Sequence, residues 1–226
     1  MPNVYITGVQ NNKNKIIVTA GIVGTMQSLG FSCGVYKPIE TGVGLKDSKD
    51  LKIVGQMDSY INTYFTYRLE KEDSPLLSAA AEGLVLEEDE ILQKYNMIKK
   101  RNEILVVDGT YGFGTPITKG FLEEDLVKTM EIPLVFAVSA QYSEINNILL
   151  SINRASELGI ELKGVIINDY TNQKKLLPKL IEEYSNTKVL GKLPFFENDI
   201  DPSDLITETI NNIDLENVFG MKIAKL

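Results

Sequence analysis

The 226-residue chain is 43% hydrophobic and has no run of about 18 apolar residues, which predicts a globular fold with one generous core. Its formal net charge of -8 argues against a general nucleic-acid binder, because nucleic-acid phosphates would be repelled. The absence of histidine excludes Ser-His-Asp catalysis, Cys-His catalysis and histidine-ligated zinc. The expected chemical groups are therefore lysines, carboxylates, backbone amides and magnesium.

The first ten residues show a strand pattern and lack a basic segment followed by an apolar run, so no signal peptide is expected. The single cysteine, Cys33, excludes an internal disulfide and suits a reducing cytosol. We therefore expect one domain over residues 1–226, a cytoplasmic location, and no membrane or nucleic-acid partner.

Strand-like and helix-like runs alternate along the chain, which is typical of a parallel sheet covered by helices. The patterns predict strands at residues 3–7, 31–36, 104–108, 133–138, 165–167 and 188–190. They predict helices at residues 15–29, 50–57, 86–101, 121–130, a helix capped by Ser143 and ending at Gly159, and a last helix from Asp201 that packs outside the sheet. The predicted fold is a doubly wound, mainly parallel α/β sheet with helices on both faces, like that of phosphate-loop NTPases.

The turn between the first strand and the first helix has the spacing of a phosphate-binding loop, G-x-x-x-x-G-K-[ST]. Gly8 and Lys15 occupy the expected positions, whereas Asn14 replaces the second glycine and Ile16 replaces the hydroxyl residue that holds magnesium. Asparagine tolerates left-handed backbone, so Asn14 could preserve the turn, but Ile16 cannot ligate a metal. An ordinary polar turn of an α/β protein is the alternative interpretation.

The second strand ends in Y-K-P-I-E-T-G at residues 36–42. In an open α/β sheet the carboxyl ends of the strands line the ligand crevice, so Lys37 and Thr41 are expected beside the phosphate loop. A solvated lysine at an ordinary strand exit is equally compatible with this spacing.

The strand at residues 104–108 consists of four apolar residues followed by Asp108, which is the form of a Walker B strand whose carboxylate orients magnesium. An aspartate at a strand end is more often a turn former. Here a glycine-rich continuation, G-T-Y-G-F-G-T-P, would let a ligand approach the backbone closely, which favours the functional interpretation. In contrast, residues 58–84 are the least regular part, and their tyrosines are more simply explained by packing under a long loop than by lining a substrate pocket.

Together these segments resemble dethiobiotin synthetase, a family of phosphate-loop ligases, over nearly the whole chain. The most specific match is residues 36–42, which resemble the family signature Y-K-P-[IV]-x-[ST]-G. Asp50 matches a magnesium aspartate of the family, and D-G-T-Y-G at residues 108–112 falls where the family has E-G-A-G-G. The pair Thr115-Pro116 is also family-like. Residues 145–146 match a helix start that receives substrate across a dimer, and residues 168–169 and 193–195 match nucleotide-base segments.

The resemblance implies carboxylation and ring closure of 7,8-diaminopelargonic acid to dethiobiotin with CO2 or bicarbonate, with ATP and Mg2+ as cofactors, in a homodimer whose interface lies near residues 143–152. It implies catalytic roles for Lys15 and Lys37 and magnesium ligation by Asp50 and Asp108. The implied nucleotide contacts are Gly8, Gln10, Asn11, Asn12, Lys13, Asn14, Lys15, Ile16, Asn168, Leu193, Pro194 and Phe195. The implied substrate contacts are Lys37, Thr41, Gly109, Thr110, Tyr111 and Asn146.

The chain departs from the family pattern at Asn14, at Ile16, and at Asp108, which is one methylene shorter than the family's glutamate. All three departures affect the expected binding of the same magnesium ion. Three functions therefore stay open: an active ligase with a modified phosphate loop, a catalytically silent homologue that binds a ligand or partner, and a related phosphate-loop amidoligase or ATPase.

Overall fold

The computed structural model describes residues 2–11, 15–43, 48–196 and 200–223. Within these residues, seven strands form one sheet in the order β3-β2-β4-β1-β7-β8-β9, and every pair of neighbours is parallel. The strands are β1 (Asn3–Thr7), β2 (Cys33–Glu40), β3 (Asn62–Arg68), β4 (Ile104–Asp108), β7 (Leu134–Ser139), β8 (Leu162–Asn168) and β9 (Val189–Lys192). A small antiparallel pair, β5 (Pro116–Thr118) and β6 (Phe121–Leu122), lies apart from this sheet.

Helices cover both faces of the sheet, because its central strands are apolar on both sides. One face packs against α1 (Lys15–Ser28), α2 (Lys49–Met57), α8 (Pro202–Asn212) and α9 (Leu215–Phe219). The other face packs against α3 (Pro75–Ala81), α4 (Glu88–Ile98), α5 (Glu123–Met130), α6 (Ile145–Glu157) and α7 (Leu177–Ser185). The predicted doubly wound parallel architecture is confirmed.

The position of α8 also agrees with its prediction. Asp201 caps the helix by accepting a hydrogen bond from the Ser203 amide, and α8 lies on the outer side of α1, where Leu205 and Thr209 adjoin Gly21. A side chain at Gly21 would collide with Thr209, so the glycine allows the two helices to approach closely. In addition, no helix among the described residues is long and apolar enough to cross a membrane.

Residues 58–84, predicted to be the least regular part, contain one strand and one helix that the sequence patterns did not predict, β3 and α3. β3 is an edge strand that pairs only with β2, and its side chains stay exposed or half-buried. An edge strand needs no continuous apolar run, so the sequence signal on which the other strands depend is missing here. Helix α7 likewise has no counterpart among the predicted elements.

Two further expectations need correction at element ends. Strand β2 begins at Cys33 and continues to Glu40, four residues beyond its predicted end, because it still pairs with β3 after its pairing with β4 has ended at Tyr36. A proline, Pro38, is tolerated where only one neighbouring strand remains. Ser143 does not cap α6: its hydroxyl accepts a hydrogen bond from the Ser139 amide, and Glu144 is the residue before the helix.

Candidate active site

The candidate site lies where three neighbouring strands of the sheet end. β1 lies between β4 and β7, and β2 is on the other side of β4, so the segments that follow β1, β2 and β4 share one edge of the sheet. The register places Ile6 opposite Asp108 and Tyr36 opposite Val107. The first turn of α1 and the first turn of α2 add Lys15 and Asp50 to this edge.

Four charged side chains meet there through direct contacts, as the sequence predicts. Lys15 Nζ donates to Asp108 Oδ1 at 2.5 Å and to the Gly109 carbonyl at 2.8 Å. Lys37 Nζ donates to Asp108 Oδ2 at 2.9 Å and to Asp50 Oδ2 at 2.5 Å. Asp108 therefore holds one lysine on each carboxylate oxygen, and Lys37 bridges two carboxylates. We call Lys15, Lys37, Asp50 and Asp108 the charge cluster.

Burial and charge act against each other in this cluster. Burial acts to raise the pKa of Asp108, but the ion pairs with Lys15 and Lys37 outweigh it and lower that pKa to about 2. For Lys37, burial acts to lower the pKa, but Asp108 and Asp50 outweigh it and raise that pKa above its usual value. The pKa of Lys15 is lowered, because burial and the neighbouring Lys37 together exceed the attraction of Asp108. Lys15 is therefore the least compensated charge of the cluster.

The deepest part of the cluster carries a net positive charge. Lys15, Lys37 and Asp108 are buried, whereas the Asp50 side chain is 34% exposed at the rim. Two ammonium groups share one fully buried carboxylate, so this inner trio favours an incoming anion. A phosphate group would supply negative charge to compensate the ammonium group of Lys15.

Thr19 belongs to the same arrangement and is absent from the sequence-based site. Its hydroxyl donates to Asp108 Oδ1 at 2.8 Å, and the residue is fully buried on α1. Thr19 lies four residues after Lys15, so both side chains project from the same face of the helix. That spacing is a signal that sequence reasoning could have used.

Glu123 is the second missed residue, and no local pattern marks it. The fully buried carboxylate accepts hydrogen bonds from the Thr7 hydroxyl at 2.5 Å, the Thr110 amide at 3.1 Å and the Thr110 hydroxyl. Burial raises the pKa of Glu123, although these hydrogen bonds and Lys15 act in the opposite direction. Gly109 lies beside it, and a side chain at Gly109 would collide with Glu123.

The backbone segments that follow β1 and β4 lie directly against each other. The Phe113 amide donates to the Gly8 carbonyl at 3.0 Å. Gly112 has a φ of 155°, and a Cβ atom at this position would lie 3.0 Å from the Gln10 backbone. The glycine-rich continuation after Asp108 thus permits close backbone approach, here to the predicted phosphate loop.

The other residues of that loop are only partly described. Gly8 is buried, Gln10 is half-buried and Asn11 is exposed, whereas Asn12, Lys13 and Asn14 lie outside the described residues. The Gln10 side chain connects the loop to the region of α6, since its amide donates to the Tyr142 carbonyl at 2.8 Å and its carbonyl accepts from Asn147 at 3.1 Å. Asn146, the predicted substrate contact, is exposed.

The predicted nucleotide-base segments end β8 and β9. Asn168 is buried and donates to Asp169 Oδ2 at 3.3 Å. Leu193 is fully buried in the core, and its backbone bonds to Ile167 and Tyr170, so its side chain is not available to a ligand. Pro194 and Phe195 are exposed. Of the predicted substrate contacts near the cluster, Thr41, Thr110 and Tyr111 are half-buried and Gly109 is buried.

The residues present fit magnesium only partly. Asp50 and Asp108 supply carboxylate oxygens, which this ion prefers, and magnesium is commonly held by one or two carboxylates together with substrate phosphates. No group of three or more acidic or cysteine side chains arranged to hold a metal occurs in the described part of the chain. Ile16 is buried in the core, so the hydroxyl position of the motif is apolar.

A family model described as an AAA domain matches residues 2–203. The chain belongs to this family. Its sequence relatives are dethiobiotin synthetases, so the family assignment is dethiobiotin synthetase-like. The ATP-dependent dethiobiotin synthetase BioD of Bacillus cereus strain G9842 is 29% identical over 217 residues, which cover 91% of this chain and 88% of that protein. The BioD protein of Nitrosopumilus maritimus strain SCM1 is 27% identical over 230 residues, which cover 96% and 99%. These relatives support an ATP-dependent ligase role for this dethiobiotin synthetase-like chain.

Solved structures agree on the fold of this dethiobiotin synthetase-like chain. The structure of the MinC:MinD cell division protein complex of Aquifex aeolicus aligns with a TM-score of 0.64 at 13% identity and covers 100% of this chain and 98% of that one. A ParA family ATPase of Chlorobium tepidum aligns with a TM-score of 0.57 at 8% identity and covers 98% and 95%. At this identity the likeness shows the phosphate-loop α/β fold alone.

Proposed function

We propose that this protein catalyses the ATP- and magnesium-dependent carboxylation and ring closure of 7,8-diaminopelargonic acid to dethiobiotin. The observation that supports the proposal best is the charge cluster, in which side chains from α1, β2, α2 and β4 converge on one edge of the sheet. The dethiobiotin synthetase relatives, which span most of the chain, support the choice of reaction.

The proposed reaction depends mainly on holding two anions together, the carbamate and the γ-phosphate of ATP. It depends less on a side chain that acts as a general acid or base. One amine of the substrate adds to CO2 and gives a carbamate, the γ-phosphoryl group of ATP passes to a carbamate oxygen, and the second amine attacks the carbonyl carbon and expels phosphate. Lys15 and Lys37 would position the anionic carbamate and the γ-phosphate and stabilise their charge. Such a mechanism operates without histidine.

Asp50 and Asp108 would hold magnesium, together with the phosphates of the nucleotide and water molecules. The ion neutralises negative charge on the phosphates when it is bound. Since both carboxylates contact Lys37, this lysine would exchange part of its carboxylate contacts for contacts with the phosphates or the carbamate. Thr19 would keep Asp108 oriented during this exchange.

We further propose that ATP lies between the loop that follows β1 and the segments after β8 and β9. Gly8, Gln10, Asn11 and Lys15 would contact the phosphates, and Phe195 would pack against the base. The substrate would lie beside Thr41 and residues 109–111. In this arrangement, Lys37 is the residue that faces both ligands.

We propose a homodimer whose interface includes the start of α6. Two large hydrophobic residues of this region, Tyr142 just before α6 and Leu150 on α6, are 66% and 64% exposed. Sedimentation velocity at micromolar concentration should give a dimer, and a Leu150→Glu variant should shift it toward monomer. A wild-type monomer would contradict the proposed interface.

A catalytically silent homologue is the second candidate. The apolar Ile16 next to the cluster favours it, because the site then lacks one expected oxygen ligand for magnesium. The charge cluster would in that case be a structural ion-pair network.

A product assay separates the two candidates. Purified protein is incubated with ATP, Mg2+, bicarbonate and 7,8-diaminopelargonic acid, and dethiobiotin is detected by mass spectrometry while phosphate is quantified. An active ligase should form dethiobiotin and phosphate in equal amounts, and omission of bicarbonate should stop both. Phosphate without dethiobiotin would contradict the proposed reaction and favour a related ATPase.

A further inference from the structure

Three neighbouring residues, Asp108, Gly109 and Thr110, are held from two directions. Lys15 binds the Asp108 carboxylate and the Gly109 carbonyl, and Lys37 binds the other oxygen of Asp108. The next residue, Thr110, donates both its amide and its hydroxyl to Glu123. We call these three residues the post-β4 segment.

Glu123 connects the post-β4 segment to the strand that leads into the phosphate loop. One carboxylate oxygen accepts from Thr7, the last residue of β1, and the other accepts twice from Thr110. The next residue after Thr7 is Gly8, the first residue of the loop. A single side chain from the start of α5 therefore links the two strand ends that carry the site, in addition to the backbone hydrogen bond from the Gly109 amide to the Ile6 carbonyl.

The surroundings leave Glu123 little freedom to move. The carboxylate is fully buried, and Gly109 packs against it so closely that no side chain would fit at that position. Gly109 adjoins both groups, since its carbonyl accepts a hydrogen bond from Lys15 and its Cα lies against the Glu123 carboxylate. Apart from its through-space attraction to Lys15, Glu123 acts on the reacting groups through its hydrogen bonds to the post-β4 segment.

We propose that Glu123 is a positioning residue: by binding Thr7 and Thr110 together, it holds the post-β4 segment so that Asp108 meets Lys15 and Lys37. Thr110 stands where the related motif E-G-A-G-G has alanine, and Asp108 stands where it has the longer glutamate. The hydrogen bonds from Thr110 to Glu123 thus occur in a chain whose residue 108 has the shorter carboxylate side chain.

The test compares four variants of the full-length chain. Glu123→Leu removes all three hydrogen bonds, and Thr7→Val removes one of them at nearly constant volume. Glu123→Gln keeps a group of the same shape, whose amide oxygen can accept from Thr110 and whose amide nitrogen can donate to the Thr7 hydroxyl. Glu124→Leu is the matched control, because Glu124 is also buried at the start of α5 but binds Arg154 on α6.

The exchange rate of the Thr110 amide hydrogen measures whether its hydrogen bond to Glu123 is intact, and it does not require enzymatic turnover. We expect Glu123→Leu to raise the exchange rate of the Thr110 amide at least about tenfold over Glu124→Leu, at matched overall stability, as loss of a buried hydrogen bond should. Thr7→Val should give a smaller rise, and Glu123→Gln should stay close to wild type. Equal exchange in Glu123→Leu and Glu124→Leu would overturn the proposal. If Glu123→Leu does not fold, a Thr7→Val variant with wild-type exchange at Thr110 would overturn it instead.

A kinetic measurement, which rests on the proposed function, tests the consequence for the site. Glu123→Leu should lower kcat for phosphate release roughly 10²-fold, as misplacement of catalytic groups does, while Glu123→Gln restores most of it. A Gln variant as inactive as the Leu variant would overturn the positioning role, since charge rather than geometry would then matter. If the wild-type protein releases no phosphate, the proposed function fails, and hydrogen exchange alone decides the role of Glu123.

Discussion

Asp108 and Glu123 are both fully buried carboxylates that hold the same short segment, but the charges of their hydrogen-bond partners differ. Asp108 binds two lysines and one threonine, whereas Glu123 binds threonine hydroxyls and a backbone amide. Their pKa values respond in opposite directions: that of Asp108 falls to about 2, and that of Glu123 rises. Burial alone therefore does not set the charge state of a carboxylate in this site, because the charge of its partners decides the sign.

The difference separates two tasks in one site. Asp108 stays ionised and keeps two lysines together, at the place where an anionic ligand would bind. Among the described residues, Glu123 has no cation as a hydrogen-bond partner, and it links Thr7 to Thr110. Variants of these two carboxylates and of the residues around them test this division.

The largest expected effect is on stability, in the variant Asp108→Asn. The substitution preserves volume but leaves Lys15 and Lys37 buried without their shared anion. We expect the free energy of unfolding to fall by about 3–5 kcal/mol, the usual cost of removing one partner of a buried ion pair. Urea denaturation measures it.

Thr19→Val is the control for this prediction, because it removes only a hydroxyl hydrogen bond to the same oxygen. It should cost about 1.5–3 kcal/mol, the range for a hydrogen bond to a charged group. Equal losses in Asp108→Asn and Thr19→Val would mean that the ion pairs contribute no more than a single hydroxyl hydrogen bond to the carboxylate.

The second prediction concerns Lys37→Ala, which leaves Lys15 as the partner of Asp108 and leaves Asp50 partly solvated. The fold should therefore survive. Phosphate release in the presence of the diamine and bicarbonate should fall roughly 10²- to 10³-fold, because a charge that stabilises the transferred group is lost. ATP affinity, measured by calorimetry, should largely remain. If ATP affinity is lost to the same extent as turnover, Lys37 serves nucleotide binding in general and the proposed division of roles is wrong.

The third prediction restores the phosphate loop with Ile16→Thr and Asn14→Gly. A hydroxyl at position 16 returns an oxygen ligand for magnesium, so ATP affinity in the presence of Mg2+ and turnover should each rise, up to about tenfold, or about 1.4 kcal/mol. Ile16 is a buried core residue, so some stability should be lost. A stable double variant that gains neither property would favour the silent homologue.

The smallest effect is in the pH dependence of stability. The folded pKa of Glu123 is raised, so its contribution is fully present below its ordinary pKa of 4.5 and is lost as pH rises through the folded value. Glu123→Gln removes this titration. The free energy of unfolding of the variant, relative to wild type, should therefore increase as pH rises above about 4.5.

Asp108 should show the opposite sign. Its folded pKa is depressed from 3.8 to about 2, so its contribution is present above 3.8 and is lost as pH falls through about 2. The difference between wild type and Asp108→Asn should shrink in that acidic window. A parallel pH dependence for the two variants would break the comparison between the carboxylates.

The sequence predicted the parts of the molecule that depend on local pattern. The strands next to the site were recognisable as apolar runs, and the charged residues at their ends lie together because parallel strands share one edge for their carboxyl ends. β3 was missed because an edge strand carries no such run. Leu193 matched a binding segment but lies in the core, since a motif does not show which way a side chain points.

Glu123 was beyond sequence reasoning for a different physical reason. It is 116 residues from Thr7 and 13 from Thr110, and their contact arises only when the sheet forms and α5 packs against it. At the start of a helix, a glutamate is usually a solvated charge that favours the helix dipole. Only tertiary structure distinguishes this buried carboxylate from its ordinary counterparts.

The central claim, that the charge cluster is a nucleotide site, is tested most directly by calorimetric titration of the wild-type protein with ATP, with and without Mg2+. Lys15→Ala, which removes the least compensated cation of the cluster, serves as the control. We expect saturable binding of ATP that tightens when Mg2+ is present and is lost in Lys15→Ala. Binding that is absent, or that is unchanged by both Mg2+ and the Lys15→Ala substitution, would contradict the claim.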